Sequence, residues 1–346
     1  MLLARRLTTE EFAERQWKQP LWMVKLLNYE YWPLWLFYLP LLPFIIWFIL
    51  KHRSFSFYIY TNPGIENGGF VGESKQRILD SINNRYKPVT KLFSPSHDTT
   101  DIQVYLRSCG IWFPVIVKPD VGEQGKGVEK VLNAKQLERY VLSTKENFIV
   151  QEYVDTPIEL GVFYIKYPGH LRGQVTSLTA KKFLSVTGDG VSTIEELMQL
   201  NDRARLQIER LKTKTNLQKV PSFGKNILLE PIGNHCLGTE FINANHLINE
   251  RLNYIFDTIA SSIPGFHYGR FDLRVPSIQD LQSGQNIKIL ELNGAGSIPG
   301  HIFDPSNKLF NAYRDVIRHW KAASEIAFLN KNRKQIKFNE NFQKKF

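Results

Sequence analysis

VKPDVGEQGKGV, residues 117–128, is the stretch that indicates most about the fold of this chain. An apolar strand pattern runs to Lys118, and three glycines then fall within six residues, at Gly122, Gly125 and Gly127. Glycines in such a loop let backbone amides approach phosphate oxygens, and a lysine at the strand end adds a point charge. The spacing is neither that of a P-loop nor that of a Rossmann fingerprint. A phosphate-cradling loop and an ordinary hairpin turn therefore both fit these residues.

A second strand pattern, FIVQEYV at residues 148–154, ends at Glu152, and Glu159 follows seven residues later. Backbone groups at such a strand end can read an adenine edge, while a carboxylate accepts hydrogen bonds from ribose hydroxyls. A core strand with exposed acids fits the same pattern, so both interpretations stay open.

Carboxylate, amide and guanidinium groups occur together on two further predicted strands, at Arg270, Asp272, Arg274, Glu291 and Asn293. Asp272, Glu291 and Asn293 offer only oxygen ligands, which suits magnesium rather than zinc or copper. Strand alternation places Glu291 and Asn293 on one face and directs Leu292 into the core. The two arginines add charge able to stabilise a phosphoryl group or an oxyanion. A structural ion-pair cluster is the alternative.

The charge balance indicates anionic partners. With 44 Lys and Arg against 33 Asp and Glu, the formal charge of +11 favours nucleotide phosphates, acidic substrates or anionic lipid. No aromatic-basic motif of the kind used by nucleic-acid-binding domains is present, so we predict no nucleic-acid partner. The two cysteines, Cys109 and Cys236, are too few for a disulfide framework and suit a reducing compartment.

The N-terminal part is unusually apolar. Residues 31–50 contain no charged side chain, which is about the length that a spanning helix needs, and five of the seven tryptophans lie in the first 50 residues. Pro33, Pro40 and Pro43 would interrupt a straight spanning helix, so a bent or interfacial hairpin and a buried helix pair are alternatives. Lys51 and Arg53 favour the cytoplasmic face of a membrane for the rest of the chain.

Four segments are predicted: a membrane-associated helical segment (1–53), a small α/β lead-in subdomain (54–110), a main α+β domain (111–329) and a basic tail (330–346). Within them we expect a strand at 54–60, a helix at 74–83, one long helix at 192–211 and another at 244–262. Glycine amides at 62–72 are candidates for binding a carboxylate. The tail is predicted to be a mobile extension, since it is basic and lacks apolar periodicity.

The order of the motifs resembles that of the ATP-grasp superfamily over residues 113–311. Two further stretches, KKF at 181–183 and GDGVSTIEEL at 188–197, are similar to a segment of cyanophycin synthetases and bifunctional glutathione synthetases. Residues 231–239 resemble the later glycine-containing loop of those families, although His235 and Cys236 depart from its usual small residues. Residues 294–300 resemble the stretch in which D-alanine ligases hold acceptor substrate.

The resemblance implies an α+β ATP-grasp fold, with ATP held between two α+β subdomains and with magnesium, or alternatively manganese, as the metal. It implies nucleotide-binding roles for Lys118, Gly122, Gln124, Gly125, Gly127, Gln151, Glu152, Tyr153, Val154, Glu159 and Lys182. It implies catalytic roles for Lys118, Lys181, Arg270 and Arg274. The implied metal ligands are Asp272, Glu291 and Asn293, and the implied substrate contacts are Asn293, Gly294, Ser297 and Gly300.

We therefore expect an ATP-dependent carboxylate-amine or carboxylate-thiol ligase that forms an acyl-phosphate on a small carboxylic acid, amino acid or peptide-like substrate. An ATP-grasp small-molecule kinase and an inactive nucleotide-binding membrane scaffold are the alternatives. The expected partners are the carboxylate and amine or thiol substrates and a membrane surface. An oligomer is compatible with the sequence.

Overall fold

A computed structural model of the chain describes residues 19–122 and 125–343, with side chains of the last helix described as far as Arg333. The chain forms two compact units. The smaller one comprises residues up to Pro40, Lys181–Ile242 and Phe303–Ser306, and the larger one comprises Leu41–Ala180, Asn243–Ile302 and the residues from Asn307 onward. The four segments predicted from the sequence do not coincide with these units, so that division stays a prediction.

The apolar N-terminal part is helical but interrupted. Its helices are α1 (Leu21–Leu27), α2 (Leu34–Tyr38) and α3 (Leu42–His52), with a 3-10 turn at Leu39–Leu41 between the last two. The stretch Leu34–His52 is long and apolar enough to cross a membrane by length and composition alone, with a mean hydropathy of 1.9. The interruption falls at Pro40 and Pro43, as expected from residues that lack a backbone donor.

Residues predicted as a strand at 54–60 instead form a 3-10 turn at Phe57–Tyr60, so that prediction is wrong. Aromatic stacking explains the difference. The ring of Phe57 stacks on His52 at 4.5 Å between centroids, and that of Tyr58 stacks on Phe70 at 4.2 Å. Both rings thus pack against neighbours within the larger unit, which the alternation of a strand would not allow.

The first sheet of the larger unit has four antiparallel strands. They are β1 (Thr90–Phe93), β2 (Val115–Pro119), β3 (Glu129–Val131) and β4 (Phe148–Glu152), in the order β1-β4-β2-β3. Helices α4 (Lys75–Asp80), α5 (Thr99–Ser108) and α6 (Ala134–Ser143) accompany them. Alternate residues Val115, Val117, Phe148 and Val150 enter one core with Leu137. The predicted helix at 74–83 is confirmed as α4, and Ser74 caps it.

The second sheet has five strands. They are β5 (Ile158–Ile165), β6 (Gln174–Lys182), β9 (Glu240–Asn243), β10 (Tyr268–Val275) and β11 (Lys288–Asn293), in the order β11-β10-β5-β6-β9. One face, which includes Val162, Phe271 and Leu273, packs with Phe256 and Ile259 in the largest core. The opposite face is therefore left to carry the polar residues of β5 and β10.

The smaller unit contains the two-stranded sheet of β7 (Ser185–Thr187) and β8 (Asn226–Leu228), with helices α7 (Ile194–Gln199), α8 (Asp202–Arg205) and α9 (Ile208–Leu211). The single long helix predicted at 192–211 is therefore wrong. Thr193 begins α7 through a capping box, and the Asn201 side chain accepts a hydrogen bond from the Ala204 amide to start α8. A capping side chain inside an apolar period ends one helix and begins the next.

The remaining helices belong to the larger unit: α10 (Glu250–Ser261), α11 (Ile278–Ser283) and α12 (Leu309–Gln343). Helix α10 begins later than predicted because Asn249 caps it, accepting from the Leu252 amide. Helix α12 continues into the segment predicted to be a mobile tail. Asn330 is buried there and donates to the Tyr60 carbonyl at 2.9 Å, which ties the helix to the body of its unit.

Candidate active site

Asp272 and Glu291 lie opposite each other on neighbouring antiparallel strands, β10 and β11. An irregularity in the register follows Asp272, while Leu292 points into the core as expected. The Asn293 side chain donates to Asp272 Oδ2 at 3.2 Å. The three oxygen-bearing residues predicted to bind metal are thus brought together on one part of the sheet.

Asp272 is buried and is held by Arg270. The guanidinium donates to both carboxylate oxygens, through Nε at 3.0 Å and Nη2 at 3.1 Å. Burial alone would lower the pKa of Arg270, but the adjacent Asp272 carboxylate outweighs it and raises that pKa. The Nη1 atom also donates to the Ile298 carbonyl at 3.2 Å. Arg270 therefore orients Asp272 and links it to the loop after β11.

Lys118 at the end of β2 reaches the same cluster. Its Nζ atom donates to Gln151 Oε1 at 3.2 Å and to the Leu290 carbonyl at 3.1 Å. Burial lowers the pKa of Lys118, and the nearby Glu291 and Asp272 carboxylates oppose that shift. A buried lysine beside two carboxylates is well placed to exchange these contacts for an anionic ligand.

Lys75 on α4 completes the cluster and was not predicted from the sequence. Its Nζ atom donates to the Gly122 carbonyl, lies 3.5 Å from the Asp120 carbonyl and lies 3.8 Å from Glu291 Oε1. The Asp120 carboxylate in turn accepts from the Gln76 amide at 2.9 Å. Helix α4 is thereby fixed to the start of the glycine loop. No spacing in the sequence connects residue 75 with residue 291.

The glycine-rich loop has the backbone conformation that its composition predicts. Gly125 and Gly127 both have φ near +70°, the left-handed region that favours glycine. A side chain at Gly127 would meet the Pro119 ring at 2.9 Å. The Gly127 carbonyl accepts a hydrogen bond from the Tyr140 hydroxyl at 3.0 Å. Gln124, which was predicted to bind nucleotide, lies outside the described residues.

Residues at the end of β4 make contacts within the protein. The Gln151 amide donates to Thr90 Oγ1 at 3.1 Å, and Glu152 Oε2 accepts from the Val89 amide at 3.0 Å. Lys130 lies 3.6 Å from the centroid of the Tyr153 ring. The nucleotide contacts predicted for Gln151, Glu152 and Tyr153 stay predictions.

Glu159 and Arg274 form a buried ion pair, with Arg274 Nε 2.8 Å from Glu159 Oε2. The Arg274 Nη1 atom also donates to the Val154 carbonyl at 2.9 Å. Burial would lower the pKa of Arg274, but the Glu159 carboxylate outweighs it and raises that pKa. The sequence assigned these two side chains to the ribose and the acyl-phosphate. The structure pairs them with each other and brings Arg270 onto Asp272, and the two predicted roles stay predictions.

Lys181 and Lys182 lie in the smaller unit. Lys182 Nζ is 3.2 Å from Glu240 Oε2, and Lys181 Nζ lies 5.8 Å from the centroid of the Phe241 ring. Their predicted contact with the γ-phosphate stays a prediction.

The loop after β11 packs on residues 62–72. The Ala295 and Gly296 amides donate to the Gly68 and Gly69 carbonyls, each at 3.0 Å. A side chain at Gly69 would lie 2.7 Å from the Gly294 Cα atom, so the close approach requires glycine. These contacts give both loops a structural role, and the amides of Ala295 and Gly296 are already used.

Among the residues predicted to bind substrate, Gly294, Ser297 and Gly300 are buried. The Ser297 hydroxyl lies 2.6 Å from the Gly294 carbonyl and 3.2 Å from the Asn293 carbonyl. The hydroxyl thus stabilises the turn that follows the metal-site strand.

The donor chemistry of the cluster suits magnesium. No group of three or more His, Cys, Asp or Glu side chains able to hold a metal occurs in the described part of the chain. Asp272 and Glu291 nevertheless supply two carboxylates, and Asn293 supplies an amide oxygen beside them. Magnesium is commonly held by one or two carboxylates while it keeps waters and substrate phosphates as its other ligands. The residues present therefore fit that ion.

Comparison with family models finds a match over the segment that carries the glycine loop. Residues 82–162 match the family model of the RimK-like ATP-grasp domain. The expected ATP-grasp fold of mixed α and β content is thereby confirmed. The comparison with curated proteins found no match.

Three of the solved structures that are similar to this chain are named as synthetases or ligases. A bifunctional glutathione synthetase from Pasteurella multocida is 15% identical with a TM-score of 0.36, over 73% of this chain and 38% of that one. The VanG D-Ala:D-Ser ligase from Enterococcus faecalis is 12% identical with a TM-score of 0.41, over 76% of this chain and 62% of that one. A D-alanine–D-alanine ligase from Bacillus anthracis is 15% identical with a TM-score of 0.40, over 75% of this chain and 68% of that one. At these values no substrate carries over to this chain.

Proposed function

We propose that this chain, which contains an ATP-grasp domain, is an ATP-dependent ligase that activates a small carboxylic acid, amino acid or peptide-like substrate as its acyl-phosphate. An amine or thiol then attacks the acyl carbon, and phosphate leaves. Lys118, Lys75 and the glycine loop would hold the ATP phosphates, while Asp272, Glu291 and Asn293 would hold magnesium. When bound, that ion would supply positive charge to the phosphate oxygens.

One observation supports this proposal above the others: two lysines from separate elements converge on the Asp272–Glu291 pair. Lys118, from β2, donates to the Leu290 carbonyl next to Glu291, and Lys75, from α4, lies 3.8 Å from Glu291 Oε1. Two cations and two carboxylates in a half-buried cluster make a site for a metal-bound polyphosphate, because each carboxylate can bind the metal while each lysine binds phosphate. The Lys75 ammonium also bonds the Gly122 carbonyl, so one cation connects the cluster with the start of the glycine loop.

The proposal is tested first with Glu291→Gln. This change removes a metal-binding charge but keeps the size of a half-exposed side chain, so the strand packing should survive. ATP turnover, measured as ADP release, is expected to fall by about a hundredfold or more, with an unchanged circular dichroism spectrum. Glu138→Gln, on the exposed side of α6, is the matched control and should leave turnover unchanged. Unchanged turnover in the Glu291 variant would contradict the metal assignment.

Two alternatives give different results in the same assay. A ligase releases ADP at full rate only when both a carboxylate and an amine or thiol are present, whereas a small-molecule kinase needs one acceptor only. Hydroxylamine added in place of the amine should trap the acyl-phosphate as a hydroxamate. An inactive scaffold would bind ATP and release no ADP with any combination of substrates.

We also propose that α3 attaches the protein to the cytoplasmic face of a membrane. Its side chains Leu42, Phe44, Ile46, Trp47 and Leu50 are all exposed, whereas Phe48 and His52 are buried. The buried His52 lies 2.7 Å from Ser324 Oγ of α12, which fixes which face of α3 is turned outward. Eleven helical residues extend about 16 Å, roughly half the thickness of a bilayer core. An interfacial position therefore suits α3 better than a spanning one.

A further inference from the structure

The larger unit contains a cavity of about 650 Å³ that none of the motifs described above accounts for. The ends of β5 and β6, the residues after β9 and the first turns of α12 form its walls. The polar side chains that matter to its chemistry are His301, Asn311, Arg314, Asp315, Arg318 and His319. A cavity of this volume accommodates an amino acid or a short peptide.

Hydrogen bonds fix the inner wall of the cavity. His319 is buried, its Nδ1 atom donates to the Asp315 carbonyl at 2.7 Å, and its Nε2 atom accepts from Thr176 Oγ1 at 3.0 Å. His301 Nε2 lies 3.1 Å from Asp315 Oδ2, and His301 Nδ1 lies 2.7 Å from Ser177 Oγ. Burial lowers the pKa of His319 to about 4, so that ring is neutral at pH 7. This wall is preorganised and adds no positive charge from His319.

The outer wall is cationic. Arg314 and Arg318, one helical turn apart, keep 57% and 73% of their side-chain surface exposed. Asp315 is the single acid among the described residues that line the cavity, and it lies 3.8 Å from Arg314 and 3.9 Å from Arg318. The Asp315 carboxylate is also bonded to His301, and its contacts with the two arginines are long. Most of the N–H donors of the two guanidinium groups are therefore available to a ligand.

Side-chain amides make up much of the remaining polar lining, at Gln174, Asn243, Asn245, Asn307 and Asn311. A side-chain amide can both donate and accept a hydrogen bond. The Asn245 Oδ1 atom already accepts from the Leu178 amide at 2.7 Å, and the Asn307 Nδ2 atom donates to the Ile302 carbonyl at 3.2 Å. Such a lining suits the alternating donors and acceptors of a peptide or an amino acid. The two arginines suit a carboxylate in particular, because a guanidinium can bind a carboxylate through two parallel hydrogen bonds.

The cavity lies on the same face of the five-stranded sheet as the Asp272 cluster. Phe163 of β5 is the register partner of Arg270, so the two side chains share a face. The His319 ring packs edge-on against Phe163, with centroids 4.9 Å apart. The loop that accepts the Arg270 hydrogen bond at Ile298 also continues to His301 of the cavity wall. One face of the sheet and one loop therefore connect the cavity with the Asp272 cluster.

We propose that this cavity binds a substrate of the ligase through a carboxylate that does not react, held by Arg314 and Arg318, with the amides contacting an amino-acid or short-peptide skeleton. The inference rests on the ligase function proposed above and names the class of its substrate. It predicts that a free carboxylate, in addition to the reacting group, is required for binding.

The test measures binding without ATP, by isothermal titration of the wild type and the double variant Arg314→Gln/Arg318→Gln. The probes are the common L-amino acids, D-alanine and the two dialanine enantiomers, each beside its carboxamide. Compounds that bind the wild type should bind the variant about tenfold or more weakly, and carboxamides should bind both forms equally weakly. Equal affinity in the two forms, or no binding by any probe, would overturn the proposal.

Both arginines are exposed, so the variant should fold, and Arg139→Gln on the exposed side of α6 serves as the matched control. ADP release then separates the two proposals. A probe that loses affinity in the double variant but never stimulates ADP release, whether it is given alone, with an added carboxylate or with an added amine or thiol, supports the cavity and contradicts the ligase. A probe that stimulates ADP release with the same KM in both forms supports the ligase and contradicts the cavity.

Discussion

At the scale of single residues, Lys75 offers the sharpest test of the active site. Its ammonium lies 3.8 Å from Glu291 and also bonds the backbone of the glycine loop. Lys75→Met should weaken ATP binding, because a hydrogen bond to a charged group contributes about 1.5–3 kcal/mol, which is about 10- to 100-fold in KM for ATP. Initial rates of ADP release across ATP concentrations measure this change.

Lys135→Met, at an exposed position of α6, is the control for the loss of one lysine charge. An unchanged KM and kcat in the Lys75 variant would show that Lys75 only fastens α4 to the loop.

The pairing of Asp272 with Glu291 followed from strand alternation and motif order. Lys75 could not be predicted, because its position depends on how α4 packs against the end of β2, a contact 45 residues apart in sequence between Lys75 and Asp120.

At the scale of secondary-structure elements, α3 carries the membrane proposal. Replacing Trp47 and Leu50 by Gln removes two apolar side chains that are 50% and 68% exposed. Trp47 also packs edge-on against Phe48, with centroids 5.0 Å apart, whereas the contact of His52 with Ser324 does not involve either residue. Burial of a large apolar side chain contributes about 1.5–3 kcal/mol, so partitioning should fall by about tenfold or more. Co-sedimentation with vesicles of three parts phosphatidylcholine to one part phosphatidylglycerol measures it.

Leu142 and Leu171 provide the matched control, because they are 81% and 94% exposed and lie on other elements. Their double replacement by Gln should leave sedimentation with vesicles unchanged. If the Trp47 and Leu50 variant still sediments like the wild type, then α3 is not the membrane-binding element.

Elements with a clear period were predicted well, and those set by local caps or aromatic contacts were not. The strands at β2 and β4 follow from apolar runs that end in polar or glycine-rich residues. The long helix predicted at 192–211 failed because Asn201 can cap a helix as readily as it can continue one, and only the fold decides between the two. The predicted strand at 54–60 failed because His52 and Phe70 provide stacking partners that propensity does not include.

At the scale of the whole molecule, the ATP-grasp fold could be predicted because four motifs occur in a characteristic order. The compact units could not be predicted, because the smaller one is assembled from three separate stretches of chain. Glu30 illustrates this: it forms a buried ion pair with Arg203 in the same unit, 173 residues away. A reading along the chain divides it into consecutive segments and misses such contacts.

The stability of the whole molecule should depend on pH through its buried histidines. Burial lowers the pKa of His52, of His267 and, to about 4, of His319. As the pH falls below 6.5, the ordinary pKa of histidine, the unfolded chain takes up protons on these residues before the folded chain does. Their contribution to the free energy of unfolding is therefore present above that pH and is lost as the pH falls toward 4. Around His319, backbone hydrogen bonding and the Asp315 carboxylate oppose the shift, while His301 and Arg318 favour it.

From His319 alone, the free energy of unfolding should decrease by about 2 kcal/mol between pH 7 and pH 5. Denaturant titrations of the wild type and His319→Gln at the two pH values measure this contribution. The variant is expected to be less stable at pH 7, because it loses buried packing, but its loss between the two pH values should be smaller by that amount. Parallel pH profiles would show that His319 has the same pKa in the folded and unfolded chain. The ring would then be protonated in the folded protein at pH 5, and the wall of the Arg314–Arg318 cavity would carry an additional positive charge at that pH.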